Sequence, residues 1–389
     1  MLGVLGVAPL AAGGMLAAAG PAYAGDSSGS GQIPAELRPG GEFDQFVAQL
    51  AAEDKFSGTV LLMHRDCRVL ARSYGMANKP LSIANGPDTI FALGSITKLF
   101  TAVAIAQLAQ QGKVGFLEKV GTYLDGFPND IAGTVTVHQL LTHTSGMGDY
   151  MQSDEFWAQA LEWDSVQKVW DGCMTFIRRG GLSFTPGSGH TYSNSGYHVL
   201  GAIVEQVSGQ SYYDYVRDHI FRVAGMTSSD FYTTPQWRDD RRIAHPYSTQ
   251  FSPERADAIA QHIFVGSPAG DSFSNAADLV RFTKALLGNK LLNPAYSQLI
   301  LTPKVPIEPP PPPAGMPPLI PFETYAPLAV IANNQWVLGH NGAAPGVSTD
   351  LEWYPDSGWV TVLLSNYDLG VAGTVGPINS LARNLITQQ

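Results

Sequence analysis

A chain of 389 residues with 44% hydrophobic and 14% charged residues can bury a large core, as one big domain or two interlocked ones. Its formal net charge of -10, with no basic cluster larger than Arg238, Arg241 and Arg242, argues against nucleic acid, whose phosphates are bound through Lys and Arg. Two cysteines, Cys67 and Cys173, are too few for a disulfide scaffold and read as buried free thiols.

Met1 to Ala24 carries no charge, is dominated by Ala, Gly, Leu and Val, and ends in Ala22-Tyr23-Ala24, a small-x-small pattern that predicts export with cleavage after Ala24. A basic start to that segment is missing. No other stretch approaches the roughly 18 apolar residues of a membrane span. Residues 25–41 are rich in Gly, Ser and Pro and read as a flexible linker. Within them Gly25-Asp26-Ser27-Ser28-Gly29 matches the G-x-S-x-G nucleophile pattern, but that pattern needs a strand before it and a helix after it, so Ser27 reads as linker.

A helix over Phe43–Ala52 leads into a predicted hairpin, Gly58–His64 and Arg68–Gly75. Next come the apolar run Ile90 to Leu93, Gly94, and then Ser95-Ile96-Thr97-Lys98 opening an apolar helix that closes at Gln110-Gln111-Gly112. Helical spacing over Val137–Leu141, Phe156–Trp163, Tyr197–Val207 and Tyr213–Phe221 predicts a helical layer inserted into the chain. Val305 to Pro321 is proline-dense and predicts an extended surface loop. Alternating runs at Trp336–Gly339, Ser348–Tyr354 and Trp359–Leu364 predict strands, with a closing helix over Ser380–Ile386. The organisation expected is an α/β domain from 42–112 and 270–389, interrupted by a mainly helical one over 113–269.

Ser95 and Lys98 carry the chemistry. Residues three apart share a helix face, so a serine in the first turn has the lysine amine beside its hydroxyl. The free N–H groups of that turn point where an oxyanion could form. The same spacing recurs at Ser165 and Lys168, but there the surroundings are Glu162, Asp164 and Asp171, and Ser165 reads as a helix cap on a solvated surface. Tyr192-Ser193-Asn194 is the only Tyr-x-Asn and His340-Asn341-Gly342 the only His-x-Gly in the chain. Singly, a serine at a helix start, a loop tyrosine and a lone histidine are more often structural. Together and in this order they point to nucleophilic catalysis.

The order S-x-x-K, Y-x-N, H-x-G resembles the serine beta-lactamase and penicillin-binding-protein superfamily, especially its class C-like branch of D,D-peptidases, D-aminopeptidases and carboxylesterases. The resemblance extends to Leu140-Leu141-Thr142-His143-Thr144-Ser145-Gly146-Met147, Ala224-Gly225-Met226, Ala276-Ala277-Asp278-Leu279 and Gly339 through Gly346. It implies an antiparallel sheet flanked by helices, with an inserted helical domain and the site in the cleft. It further implies Ser95 as nucleophile, Lys98 and Tyr192 as the proton-transfer pair, and Asn194, His340, Asn341, Gly342 and Ala343 as substrate-binding residues. The backbone N–H groups of Ser95 and Ala343 would form the oxyanion hole.

Physical chemistry fits these roles. A lysine with a reference pKa of about 10.4 becomes a base only when desolvation or nearby positive charge lowers it. Tyr192 and Lys98 would share one titration, and either could carry the proton. Each oxyanion donor is worth roughly 3 kcal/mol. His143 reads as part of a packed turn, and the histidines show no metal-ligand spacing, so no metal or cofactor is expected.

Relatives that hydrolyse beta-lactams usually carry Lys-Thr-Gly as the third motif, and here His340 is largely neutral at pH 7. Poor beta-lactam hydrolysis is therefore expected. The reading is an exported serine hydrolase forming an acyl-enzyme on Ser95, most simply a peptidase on short peptides that could contain D-residues. A carboxylesterase would use the same residues. A silent binder of peptide or cell-wall fragments would not need all of them.

Overall fold

The computed structural model describes residues 33–309, 319–368 and 374–388, all within a compact unit spanning Gln32–Gln389. The expected leader, the Ser27 pattern and the middle of the proline run lie outside the described residues.

The polypeptide is ordered before the point where the linker was expected to end. Ala35–Leu37 form a single 3-10 turn, and Leu37 is fully buried beside Phe43 and Val47 of the helix Glu42–Ala52 (α1). The hairpin follows as Gly58–His64 (β1) and Cys67–Tyr74 (β2). Thr97–Gln110 (α2) is buried at every position from Thr97 to Ala109, as expected of a helix without a polar face. The inserted region contributes, among other helices, Val137–Leu141, Asp154–Ala160, Val166–Arg179 and Asn194–Ser208 (α3).

The chain then returns to the sheet through Val305–Pro306 (β3), Ile320–Glu323 (β4), Leu328–Ala332 (β5), Gln335–Ala344 (β6), Val347–Tyr354 (β7) and Trp359–Ser365 (β8). Gly376–Thr387 (α4) closes the described chain. The eight strands run β2-β1-β8-β7-β6-β5-β4-β3, each antiparallel to its neighbours. The architecture is the mixed α/β one expected, an antiparallel sheet with helices on both faces.

Side-chain alternation decides what each face buries. Val60, Leu62, Val337, Trp359 and Leu363 pack under α1 and α4 with Val47, Ile378, Ala382 and Ile386. Leu61, Leu351, Trp353, Val362 and Leu364 face the other way and join α2 and the helical region in the larger core.

Two local expectations change and a third holds. Both flanks of the proline-dense stretch are strands rather than loop, since Pro306 lies on the outermost two-residue strand, where no N–H is required of it. Cys67 and Cys173 are both free, but only Cys173 is buried, because Cys67 opens β2 at an exposed turn. Lys98 aside, the second S-x-x-K behaves as read: Ser165 Oγ accepts the Lys168 N–H at 3.2 Å as a cap, and Lys168 pairs with Asp164.

Candidate active site

The turn bearing Ser95 is clamped from three sides. Gly94 adopts φ +54, and a side-chain carbon there would lie 2.8 Å from the Ala343 amide nitrogen. The Leu93 N–H donates to Ser272 O at 2.8 Å, and the Asp271 N–H to Gly94 O at 3.1 Å. Thr97 Oγ1 donates to Gly94 O at 2.8 Å and accepts the Ser272 N–H at 3.0 Å. Thr349 Oγ1 of β7 donates to Leu93 O at 2.8 Å. Gly342 has no room for a side chain either, since a Cβ would fall 1.9 Å from Leu93 O. The backbone of β6 therefore runs directly against the serine turn.

Lys98 is fully buried. Its Nζ lies 3.2 Å from Ser95 Oγ, 2.7 Å from Asn194 Oδ1 and 2.5 Å from Ala269 O, with the Tyr192 ring centroid 4.7 Å away. Burial pulls the amine down to about 7, against the opposing pull of Asp149 and Asp271. A neutral amine has two N–H bonds and one lone pair. Asn194 and Ala269 present only acceptors, so they take the N–H bonds and the lone pair is left facing the Ser95 hydroxyl.

Tyr192 precedes α3, whose N-cap Ser193 accepts the Gly196 N–H at 3.1 Å. The residue is 39% exposed, but lost hydration raises the pKa of its hydroxyl and the hydrogen bond with Ser95 pulls it back. Burial thus drives Lys98 and Tyr192 toward their neutral forms, and of the two the lysine titrates near neutrality. The Tyr192 ring lies 4.4 Å from that of His143. His143 is buried with φ +56, and its Nδ1 accepts the Ser193 N–H at 3.1 Å. The packed turn read in the sequence is a support for the tyrosine.

His340 is half-buried on β6, donates from Nδ1 to Asn341 O at 2.6 Å, and is lowered to about 4 by burial and by Lys98. β5 pairs with β6 only as far as Gly339, whereas β7 pairs with it through Ala344. His340 to Ala344 therefore have one strand edge unpaired among the described residues. A cleft of about 360 Å³ is lined by His143, Tyr192, Glu323, His340, Asn341 and Asp350, among others.

All eight residues singled out in the sequence meet here: Ser95, Lys98 and Asn194 through hydrogen bonds, Tyr192 against both Ser95 and Lys98, His340 and Asn341 in the cleft wall, and Gly342 and Ala343 against the serine turn. Sequence reasoning missed Asp149, whose Oδ2 accepts Asn194 Nδ2 at 2.8 Å, and the carbonyl of Ala269. The one local signal for Asp149 was its place two residues after the Leu140 to Met147 block. Among the described residues no group of His, Cys, Asp and Glu is arranged to hold a metal, and no helix is long and apolar enough to cross a membrane.

Comparison with known proteins identifies the family. The Beta-lactamase family pattern matches residues 43–378. Putative penicillin-binding protein PbpX of Bacillus subtilis (strain 168) is 32% identical over 264 residues, 67% of this chain and 62% of that protein, so the match spans less than two thirds of PbpX. Penicillin-binding protein 4* of the same organism is 30% identical over 334 residues, 82% of this chain and 69% of that protein. Among solved structures, a penicillin binding protein from Bacillus halodurans superimposes with a TM-score of 0.75 at 28% identity, covering 86% of this chain and 98% of that one. D-amino acid amidase from Ochrobactrum anthropi SV3 shares the fold, with a TM-score of 0.70 at 21% identity and coverage of 88% and 97%. The chain therefore belongs to the Beta-lactamase family and is one of its serine hydrolases.

Proposed function

We propose that this chain is an exported peptidase or amidase that cleaves short peptides, D-residue-containing ones included, through an acyl-enzyme on Ser95. The observation that carries the reading is the buried Lys98 Nζ, 3.2 Å from Ser95 Oγ and anchored by Asn194 Oδ1 and Ala269 O. Lys98 accepts the hydroxyl proton as Ser95 Oγ attacks the carbonyl carbon, and the N–H groups of Ser95 and Ala343 stabilise the oxyanion. The leaving amine receives a proton through Tyr192, the acyl-enzyme forms, and the same pair then deprotonates the water that releases the acid.

The open edge of β6 supports a peptide substrate over a simple ester, because a bare strand edge offers main-chain donors and acceptors that an extended peptide can match and an ester cannot. The likeness in fold to a D-amino acid amidase supports including D-residues.

The test is initial rates on matched short L- and D-peptides and short-chain nitrophenyl esters, with Ser95→Ala as control. Peptide turnover that disappears in the variant is the expected result. Turnover of esters alone would make the protein a carboxylesterase, and full activity in Ser95→Ala would refute the nucleophile. Export is tested separately by N-terminal sequencing of the mature protein, and an intact Met1 would refute it.

A further inference from the structure

The cleft wall is acidic. Three carboxylates, Glu323, Asp350 and Glu352, line it with one guanidinium, Arg383. That guanidinium is committed, because Nε and Nη2 of Arg383 both donate to Glu352, which also accepts from Tyr354 Oη at 2.7 Å and Asn379 Nδ2 at 3.1 Å. Asp350 accepts from Asn379 Nδ2 at 3.0 Å through Oδ2. Its Oδ1, like Asn379 Oδ1, is buried without a donor, and both residues are only 7% exposed.

Glu323 ends β4 beside the catalytic groups and is 6% exposed. His190 Nε2 donates to its Oε1 at 2.9 Å, and no other described group hydrogen-bonds that carboxylate. It lies close enough to Tyr192 and Tyr197 for its charge to oppose ionisation of both phenols. A carboxylate this buried, with one oxygen unmatched by any described donor, is poorly solvated, and a positively charged N–H donor is the ligand group that relieves the cost most. A substrate carboxylate would meet the reverse. It would be repelled by Glu323, with Lys98 buried behind Ser95 and His340 neutral.

We propose that Glu323 determines specificity by binding a substrate ammonium, so that the enzyme selects amino-acid amides and peptides with a free amine over N-acylated substrates. This inference rests on the serine hydrolase reading of Ser95 and narrows its substrate class.

The experiment compares kcat/KM for alanine p-nitroanilide and N-acetylalanine p-nitroanilide, both enantiomers, and for the two corresponding methyl esters. Wild type is expected to favour the free amine at least about 10-fold, and Glu323→Gln to lower kcat/KM for the free amine about 10- to 100-fold, chiefly through KM, while the acetylated substrate changes less than about 3-fold. Glu323→Asp, which keeps the charge, should retain part of the preference, and it provides the comparison if Glu323→Gln does not fold. Wild type favouring the acetylated substrate, or a ratio unmoved in Glu323→Gln, overturns the inference and leaves the peptidase reading intact. Turnover of the esters alone overturns the peptidase reading, and the amine preference is then read from the ester pair. Turnover of neither pair overturns both.

Discussion

Asp149 fixes which way the Asn194 amide points. Its Oδ2 accepts from Asn194 Nδ2 at 2.8 Å and from the Asn194 backbone N–H at 3.3 Å, so Oδ1 is turned to Lys98. A residue that touches neither the serine nor the cleft thereby orients the amine that faces the nucleophile.

Asp149→Asn should therefore act in two ways. The amide loses its fixed orientation, and plateau kcat/KM falls about 10-fold. Asp149 also favours the charged form of Lys98, which stands near 7. In wild type kcat/KM should rise with pH through about 7 as the amine is freed, and in the variant that rise should move to lower pH. A pH-rate profile whose acid limb stays put or moves upward would mean that the Asp149 charge is not felt at Lys98.

Lys98 should cost the fold stability at neutral pH. Its amine titrates near 7 in the fold and near 10.4 in the unfolded chain. The charged form is thus disfavoured in the folded state. No penalty exists above pH 10.4, it grows as pH falls, and it is complete below about 7, at roughly 4–5 kcal/mol. Lys98→Met, inactive in turnover, should gain stability relative to wild type as pH drops from 10 to 7. Urea denaturation at the two ends measures this, and a relative loss over that window would contradict the neutral amine.

Gly342→Ala should separate the β6 backbone from the serine turn. The added carbon would stand 1.9 Å from Leu93 O and 2.6 Å from Thr349 Oγ1, so the strand must move. Misplacing one oxyanion donor costs about 100- to 1,000-fold in kcat, and overpacking costs about 1–3 kcal/mol in stability. Near-normal turnover would show that the Ala343 N–H is not an oxyanion donor.

His340→Lys should raise acylation by penicillin about 10-fold, because a lysine supplies a permanent charge for the lactam carboxylate where the histidine supplies none. Fluorescent penicillin labelling of the two proteins gives the answer. Equal labelling would end the argument that the third motif sets lactam reactivity.

The sequence carried the site's local chemistry and little of its support. Ser95 and Lys98 share a helix face, so spacing alone joined them. Tyr192, Asn194 and His340 could be grouped only through a familiar order of motifs. Asp149 and the Ala269 carbonyl escaped because their contacts are made across loops, one 45 residues from its partner and the other 171, and no periodicity encodes such pairs. Glu323 was hidden by the prolines before it, which mask the alternation of Ile320 and Phe322 that makes β4 a strand.

The register of the sheet also dictates when this protein can exist. Gly58 pairs with Ser365 and His64 with Trp359, so β1 is synthesised long before the strand that completes it. At typical ribosomal speeds the interval is roughly 15–60 s. During that time an apolar strand has no partner on one edge, and Ser95 and Lys98 are already present without the Ala343 amide. Hydrolysis must wait for assembly, and an interrupted chain carries the nucleophile but no working site.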